Sequence, residues 1–494
     1  MLIESKKKLY LIGIDSAPLW LITRLSNEHD LKGFKKLIEK GMLSEMASTM
    51  PPMTGAAWPS IYTGLNPSEH GVPDFFEMKK DYTPELAFYN PEKAEPFWKK
   101  IAEKAGKCLI ITPAMNTTLP NYKNVDMITG FPLKAKTNNL YLEELMKKEN
   151  FYGEPDIEKD MKAGKMTEQE AVVHFVKSIE SRSRIAQSMI KKEKYSFVYV
   201  CFTETDRLQH FVLNKKNADD YTLPIYRAID NFITYCLQAA EKENAMVMVV
   251  SDHGAQPINQ KFLINGWLVK NGFASIKNTI LKNMNNNTEK KSASMSYTIR
   301  EKAMKTGLRK VYDKLPHSAK KAVHKSIGAV FSSASSGSYT RLHLFDYDMS
   351  KTVAFAGISN INVATIFIND KRFEHGIVKD TEIKGLKTLL SKKLLTIKNS
   401  EGKLVIRNIY DAKDYYKTKT QFIAPDLFVD AEPGYSIDIF NFSNINFFME
   451  PEPPKRGDHT QMGIFGVYVP NGKPAFKDVK IYDIYKIITK YFSI

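Results

Sequence analysis

Three aspartates and three histidines in this chain stand beside short apolar runs, where loops leave strands. Asp15 directly follows the run Leu9–Ile14. Asp206 and His210 follow Phe197–Phe202 in the stretch TETDRLQH, four residues apart and so on one helical face. Asp252 and His253 follow Ala245–Val250 in SDHG, and His459 lies in GDHTQMGIFGVYV just before another apolar run. Mixed carboxylate and imidazole ligation suits a pair of divalent cations, zinc or the harder manganese. Six such ligands divide three to each ion and leave open positions for substrate oxygens. Taken singly, each residue has a plainer use. An Asp after a strand is as readily a helix cap as a ligand, and a lone loop histidine is commonly a hydrogen-bonded structural residue. The set points to metal chemistry more strongly than any member of it.

A two-metal site needs a nucleophile or an activated water. Thr54, in MPPMTGAAWPSIYTGLNPSEHGV, sits at a Pro/Gly-punctuated turn entering a helix. Its hydroxyl could be activated by a metal, with the first backbone N–H groups of the helix facing an anionic phosphoryl group. The competing reading is a threonine that only caps that helix. His70 in PSEHGV is expected to fix the following turn and is not counted as a ligand. Lys371 and Arg372 are candidates to meet an anionic group, although charges in an exposed turn are the commoner case.

These residues must be held by a scaffold. Nearly continuous apolar runs at Leu9–Ile14, Cys108–Thr112, Phe197–Phe202 and Ala245–Val250 alternate with helical patterns such as 169–194. That predicts an α/β fold, a doubly wound and mainly parallel sheet whose ligands gather at the carboxyl ends of the strands. From about 263 the texture changes to Asn-, Lys- and Ser-rich stretches around two amphipathic helix candidates, then to strands and a helix near Lys384–Leu395. The expected organisation is a core formed by 1–262 and 421–494, interrupted by an inserted α+β cap over 263–420.

The chain has 494 residues, 43% hydrophobic and 26% charged, which excludes wholesale disorder and collagen-like repetition. Three cysteines (Cys108, Cys201, Cys236) are too few for a disulfide framework. No apolar run reaches the roughly 18 residues of a membrane span. The N-terminus reads as a first strand rather than a signal peptide, so the expected location is the cytoplasm. The net charge of +16 is unevenly placed: 281–330 holds twelve Lys/Arg against three acidic residues, a net of +9. That basic helical segment could engage nucleic acid or an anionic membrane surface, or form the solvated face of a cap. The sequence does not fix the oligomeric state.

The motifs LIGIDSAP, PPMTGAAWPSIYTGLNPSEHGV, TETDRLQH, SDHGA and GDHTQMGIFGVYVP, spread from residue 9 to 470, resemble those of the alkaline phosphatase superfamily. Within it, they resemble the type I phosphodiesterase/nucleotide pyrophosphatase family. The resemblance implies an alkaline phosphatase-like core with two divalent ions, zinc or manganese. One would be held by Asp206, His210 and His459. The other would be held by Asp15, Asp252 and His253, with Thr54 also coordinating it. Thr54 would attack phosphorus to form a phospho-threonine that water then hydrolyses, on a small anionic phosphate ester. The reading is a metal-dependent phosphodiesterase or phosphohydrolase. A phosphomonoesterase, phosphonate hydrolase or phosphomutase of the same superfamily is the alternative within the class. A degenerate core that binds polyanions or membrane surfaces is the alternative outside it. Ser16 is read as incidental.

Overall fold

A strand buried on both faces has to be apolar along nearly its whole length, and the expected run Cys108–Thr112 is buried throughout. Leu9–Ile14 and Phe197–Phe202 are buried at every position. The computed structural model describes residues 7–278, 340–341 and 343–494, apart from 152, 154–156, 360, 417–419, 444–445 and 452–454. The basic segment 281–330 and its two helix candidates lie outside the described residues.

The chain divides into two compact units, 1–75 with 88–258 and 451–494, and 76–87 with 259–450. The first is built on a seven-stranded sheet: Leu9–Ile14 (β1), Met42–Ala47 (β2), Cys108–Ile111 (β3), Val125–Ile128 (β4), Phe197–Phe202 (β5), Met246–Val250 (β6) and Met462–Tyr468 (β7). Their spatial order is β2-β7-β6-β1-β5-β3-β4. β1 runs parallel to both β5 and β6, with Ile14 opposite Phe202 and Gly13 opposite Val250. β3 is parallel to β4 and β5, whereas β7 is antiparallel to β2 and β6. The mainly parallel α/β sheet is therefore present.

Helices cover it with the expected apolar stripes. Helix Glu168–Lys192 buries Val172, Phe175, Ile179, Ile185 and Met189. Its start is fixed by a reciprocal cap, in which the Thr167 hydroxyl accepts from the Glu170 amide at 3.2 Å and the Glu170 carboxylate accepts from the Thr167 amide at 2.8 Å. Helix Ala218–Glu243 adds Ile225, Ile229, Phe232 and Ile233 to the same core, with Ile12, Ile14, Val198 and Val200 from the sheet. Cys108, Cys201 and Cys236 are buried thiols.

The second unit is α+β. An antiparallel sheet orders Ala354–Ala356, Val363–Ile368, Leu427–Ala431 and Ile406–Asp411, and helix Asp380–Leu394 buries Leu390 and Leu394 in a core shared with Phe355, Ile366 and Phe367. The expected core–insert boundaries at 262/263 and 420/421 compare with 258/259 and 450/451 in this division, because Leu427–Ala431 is an inner strand of the second unit's sheet. Among the described residues, no helix is long and apolar enough to cross a membrane.

Candidate functional site

The sheet order places β6, β1 and β5 side by side, so the residues leaving their carboxyl ends are neighbours. Asp15 leaves β1, its amide donating to the Phe202 carbonyl at 2.8 Å. After β5 a single residue, Thr203, leads into helix Glu204–Val212, which carries Asp206 in its first turn and His210 one turn on. After β6 come Ser251, Asp252 and His253, all fully buried. His459 arrives from the far end of the sequence. The strand Gly457–Thr460 pairs antiparallel with Gly254–Pro257, His459 opposite Ala255, which sets the His459 and His253 rings face to face, 3.8 Å between centroids. Gly254 makes this possible, since a Cβ there would lie 2.1 Å from the Met462 carbonyl oxygen.

The competing cap readings do not hold. Helix Thr54–Thr63 is preceded by Met53 as N-cap, with no side-chain cap, and helix Leu19–His29 by Pro18. The Thr54 hydroxyl instead lies 3.2 Å from His253 Nε2 and 3.4 Å from Asp15 Oδ1.

The histidine hydrogen bonds decide what faces the centre. Nδ1 of His210, His253 and His459 each meets a backbone carbonyl, those of Gly457 (2.9 Å), Gly254 (3.0 Å) and Pro52 (2.9 Å). A carbonyl only accepts, so Nδ1 carries the proton and all three Nε2 lone pairs point inward. There they face carboxylates. Asp206 Oδ1 is 3.4 Å from His210 Nε2 and 3.3 Å from His459 Nε2. His253 Nε2 is 3.5 Å from Asp15 Oδ1 and 3.3 Å from Asp252 Oδ2. The two Nε2 atoms of His210 and His459 are themselves 3.2 Å apart. Asp252 Oδ2 is buried with no hydrogen-bond donor. A buried carboxylate oxygen without a donor, beside converging imidazoles and carboxylates, is what a cation would satisfy. Ligand atoms of Asp206, His210 and His459, and those of Asp15, Asp206 and His253, lie within 4.8 Å of one another. A further group, Glu28, His29 and Asp219, lies outside this centre, and its Asp219 is already paired with Arg24 at 2.5 Å.

Charges follow the same geometry. Burial, then the charges of Asp252 and Asp206, push the Asp15 carboxyl well above the ordinary carboxylate range. Burial pushes Asp252 up to about 8, against the pull of the Ser16 amide. Burial works against the Asp206 carboxylate too, but His210 and His459 outweigh it and hold it well below the usual range. Burial and the neighbouring His459 keep His253 neutral.

The model of the type I phosphodiesterase/nucleotide pyrophosphatase family matches residues 9–438. The chain belongs to that family. It is thus a hydrolase of phosphoric ester bonds, and its acidic and histidine groups could bind metal. The matched stretch contains Asp15, Thr54, Asp206, His210, Asp252 and His253, and the fold adds His459 from beyond it. Phosphonoacetate hydrolase from Sinorhizobium meliloti 1021 is similar in structure in complex with phosphonoacetate, at a TM-score of 0.56 and 11% identity over 99% of this chain and 96% of that one. Its complex with phosphonoformate gives a TM-score of 0.55, at the same identity and coverage. Murine ectonucleotide pyrophosphatase/phosphodiesterase 5 in complex with AMP gives 0.49 at 12% identity, over 99% of this chain and 95% of that one. No curated protein matches the sequence. At such identities the likeness to phosphonoacetate hydrolase is one of fold alone.

Other residues named from the family motifs fall into place. Ser16, in a left-handed conformation (φ 55°), donates its amide to Asp252 Oδ1 at 3.1 Å and turns its hydroxyl to the Gly254 carbonyl. His70 accepts from the Val72 amide and meets the Ser60 hydroxyl at 3.0 Å, fixing the turn as expected. Arg372 is taken up by Asp370, Asp426 and the Ala424 carbonyl, and Lys371 by Asp380.

Several supports were not singled out from the sequence, although all but Arg182 lie within the quoted motifs. Ser251 Oγ accepts from the Ala17 amide, and Gln209 donates to the Ser16 carbonyl. Arg182 and Glu204, both fully buried, form an ion pair at 2.6 Å where the ligand-bearing helix starts. One signal for that pair is readable in the sequence. Arg182 interrupts the apolar stripe of helix Glu168–Lys192, and a charge on a core face calls for a buried partner.

Proposed function

We propose that this family member is a metal-dependent phosphodiesterase or phosphohydrolase working through a phospho-threonine on Thr54. The convergence of three histidine Nε2 atoms with three carboxylates, of which His253 and Asp15 stand 3.2 and 3.4 Å from the Thr54 hydroxyl, carries the reading. Asp206, His210 and His459 would hold one divalent cation; Asp15, Asp252 and His253, with Thr54, would hold the other. The mixed oxygen and nitrogen donors suit zinc, with manganese as the harder substitute. Such a pair supplies charge stabilisation for the attacking and leaving oxygens of an in-line displacement.

The chain's own residues do the rest. The Thr54 oxygen forms a bond to phosphorus as the bond to the leaving oxygen breaks, and the leaving group departs opposite Thr54. Water then takes the phosphoryl group from Thr54 by a second in-line displacement, releasing the hydroxyl. Two inversions retain configuration at phosphorus. The Ala56 and Ala57 amides donate to the Met53 carbonyl, and the Thr54 and Gly55 amides ahead of them support a phosphoryl oxygen. We place the protein in the cytoplasm, with a small anionic phosphate ester as substrate.

The test is a panel of bis-p-nitrophenyl phosphate, p-nitrophenyl phosphate and phosphonoacetate, assayed with Zn2+ and with Mn2+. Cleavage that depends on metal and disappears in Thr54→Ala supports the reading, and the ratio of rates separates diester, monoester and phosphonate preference. No cleavage of any of the three across metals and pH, with Thr54→Ala indistinguishable from wild type, would refute it.

A further inference from the structure

The helix that presents Thr54 also grips Asp15 a second time. Trp58 lies four residues after Thr54, on the same face, and its indole Nε1–H donates to Asp15 Oδ2 at 3.1 Å. Thr54 Oγ1 stands 3.4 Å from the other oxygen, Oδ1. One helical turn therefore addresses both oxygens of the carboxylate that ends β1.

The indole is held in place from every side. It is fully buried, stacked on Tyr62 with centroids 6.0 Å apart and tilted against Tyr199 at 6.4 Å. Beneath it is Gly13, two residues before Asp15. A Cβ on Gly13 would lie 2.7 Å from the ring carbon Cη2 of Trp58, as well as 2.9 Å from the Tyr199 hydroxyl. Glycine weakens a strand interior, and such a position is explained where another group must come close. Here that group is the indole.

We infer that Trp58 is a positioning residue: its N–H occupies Asp15 Oδ2 and leaves Oδ1, the oxygen facing Thr54 and His253, as the one atom of Asp15 offered to a cation. This rests on the metal-centred reading of the site. A neutral donor that fixes a ligating carboxylate does for Asp15 what the backbone carbonyls do for the three imidazoles. It also ties the position of the nucleophile to that of the ligand, since both hang from one helix.

The test measures Zn2+ binding by equilibrium dialysis, on wild type, Trp58→Phe and Gly13→Ala. Trp58→Phe keeps an aromatic ring and loses only the donor; Gly13→Ala keeps the donor and displaces it. Far-UV circular dichroism establishes that each variant is folded, and if Trp58→Phe is not, Gly13→Ala carries the test. The expected result is two ions in wild type, with one of them weakened about 10- to 100-fold in either variant and the other unchanged. Two ions bound as tightly as in wild type would overturn the inference and leave the function reading standing. Equal weakening of both would make Trp58 a packing residue, which also overturns it. A wild type that binds no divalent ion would remove the function reading, and this inference with it.

Discussion

The two halves of the cluster are built differently. The side chains of Asp15, Asp252 and His253 are at most 2% exposed, whereas Asp206 and His210 reach 16% and 26%, with His459 between them at 4%. The buried half brings two carboxylates and one imidazole; the open half brings one carboxylate and two imidazoles. In the open half, the neighbouring His210 and His459 outweigh burial and favour the charged form of Asp206. In the buried half no cationic side chain stands opposite Asp15 and Asp252, and both are pushed toward the protonated form. A group of like charges out of water is costly unless a cation completes it. On the proposed two-ion reading, the buried half would be the more demanding holder of an ion.

The sharpest way to break this division is Thr54→Ala. The threonine belongs to the buried half, and its removal is expected to lower kcat on the order of 10^4-fold or more, as for other lost nucleophiles. Metal analysis of the same variant should still find the open-half ion. A loss of that ion would mean the halves are not independent.

Next in size is the support under the open half. Removing one partner of a buried ion pair costs about 3–5 kcal/mol, so Arg182→Met should lower the urea midpoint by a corresponding amount. It should also loosen the ion held through Asp206 and His210, because Glu204 opens their helix. A midpoint within error of wild type would place the anchor elsewhere.

Chelation sharpens the comparison directly. With one carboxylate against two, the open-half ion should be removed by EDTA at 10- to 100-fold lower concentration, about 1.4–2.7 kcal/mol. Asp206→Asn should then abolish the first step of the titration and keep the second. A single step, or loss of the second step in that variant, would contradict the assignment.

The smallest effect separates a structural imidazole from the ligands. Burial lowers His70 to about 3 from its ordinary 6.5, so the folded protein keeps it neutral while the unfolded chain takes up a proton below pH 6.5. Its contribution is present above 6.5 and is lost as pH falls toward 3, by about 1.4 kcal/mol per pH unit. His70→Gln should flatten the acid side of the stability curve and leave metal content unchanged. An unaltered acid limb would show that His70 is not held neutral.

Much of this site was legible because a parallel sheet converts sequence position into spatial position. Asp15, Asp206 and Asp252 each follow a fully apolar run, and the neighbouring order of β6, β1 and β5 is what such runs are for. β2 was not legible: most of its residues are only half buried, so neither a continuous apolar run nor clean alternation marks it. The pairing that brings His459 beside His253 was hidden as well, because the two lie about two hundred residues apart and only the ladder with Gly254–Pro257 joins them. The Trp58 hydrogen bond has no signature of its own. An indole in a helix reads as core, and here it is core with its one polar atom aimed at Asp15.

On the proposed mechanism, Thr54 carries phosphorus between two displacements. Hydrolysis of a substrate made chiral at phosphorus by oxygen isotopes, followed by configurational analysis of the product, tests it most directly. Retention is expected; inversion would mean that water attacks the substrate in a single step and that Thr54 never bears the phosphoryl group.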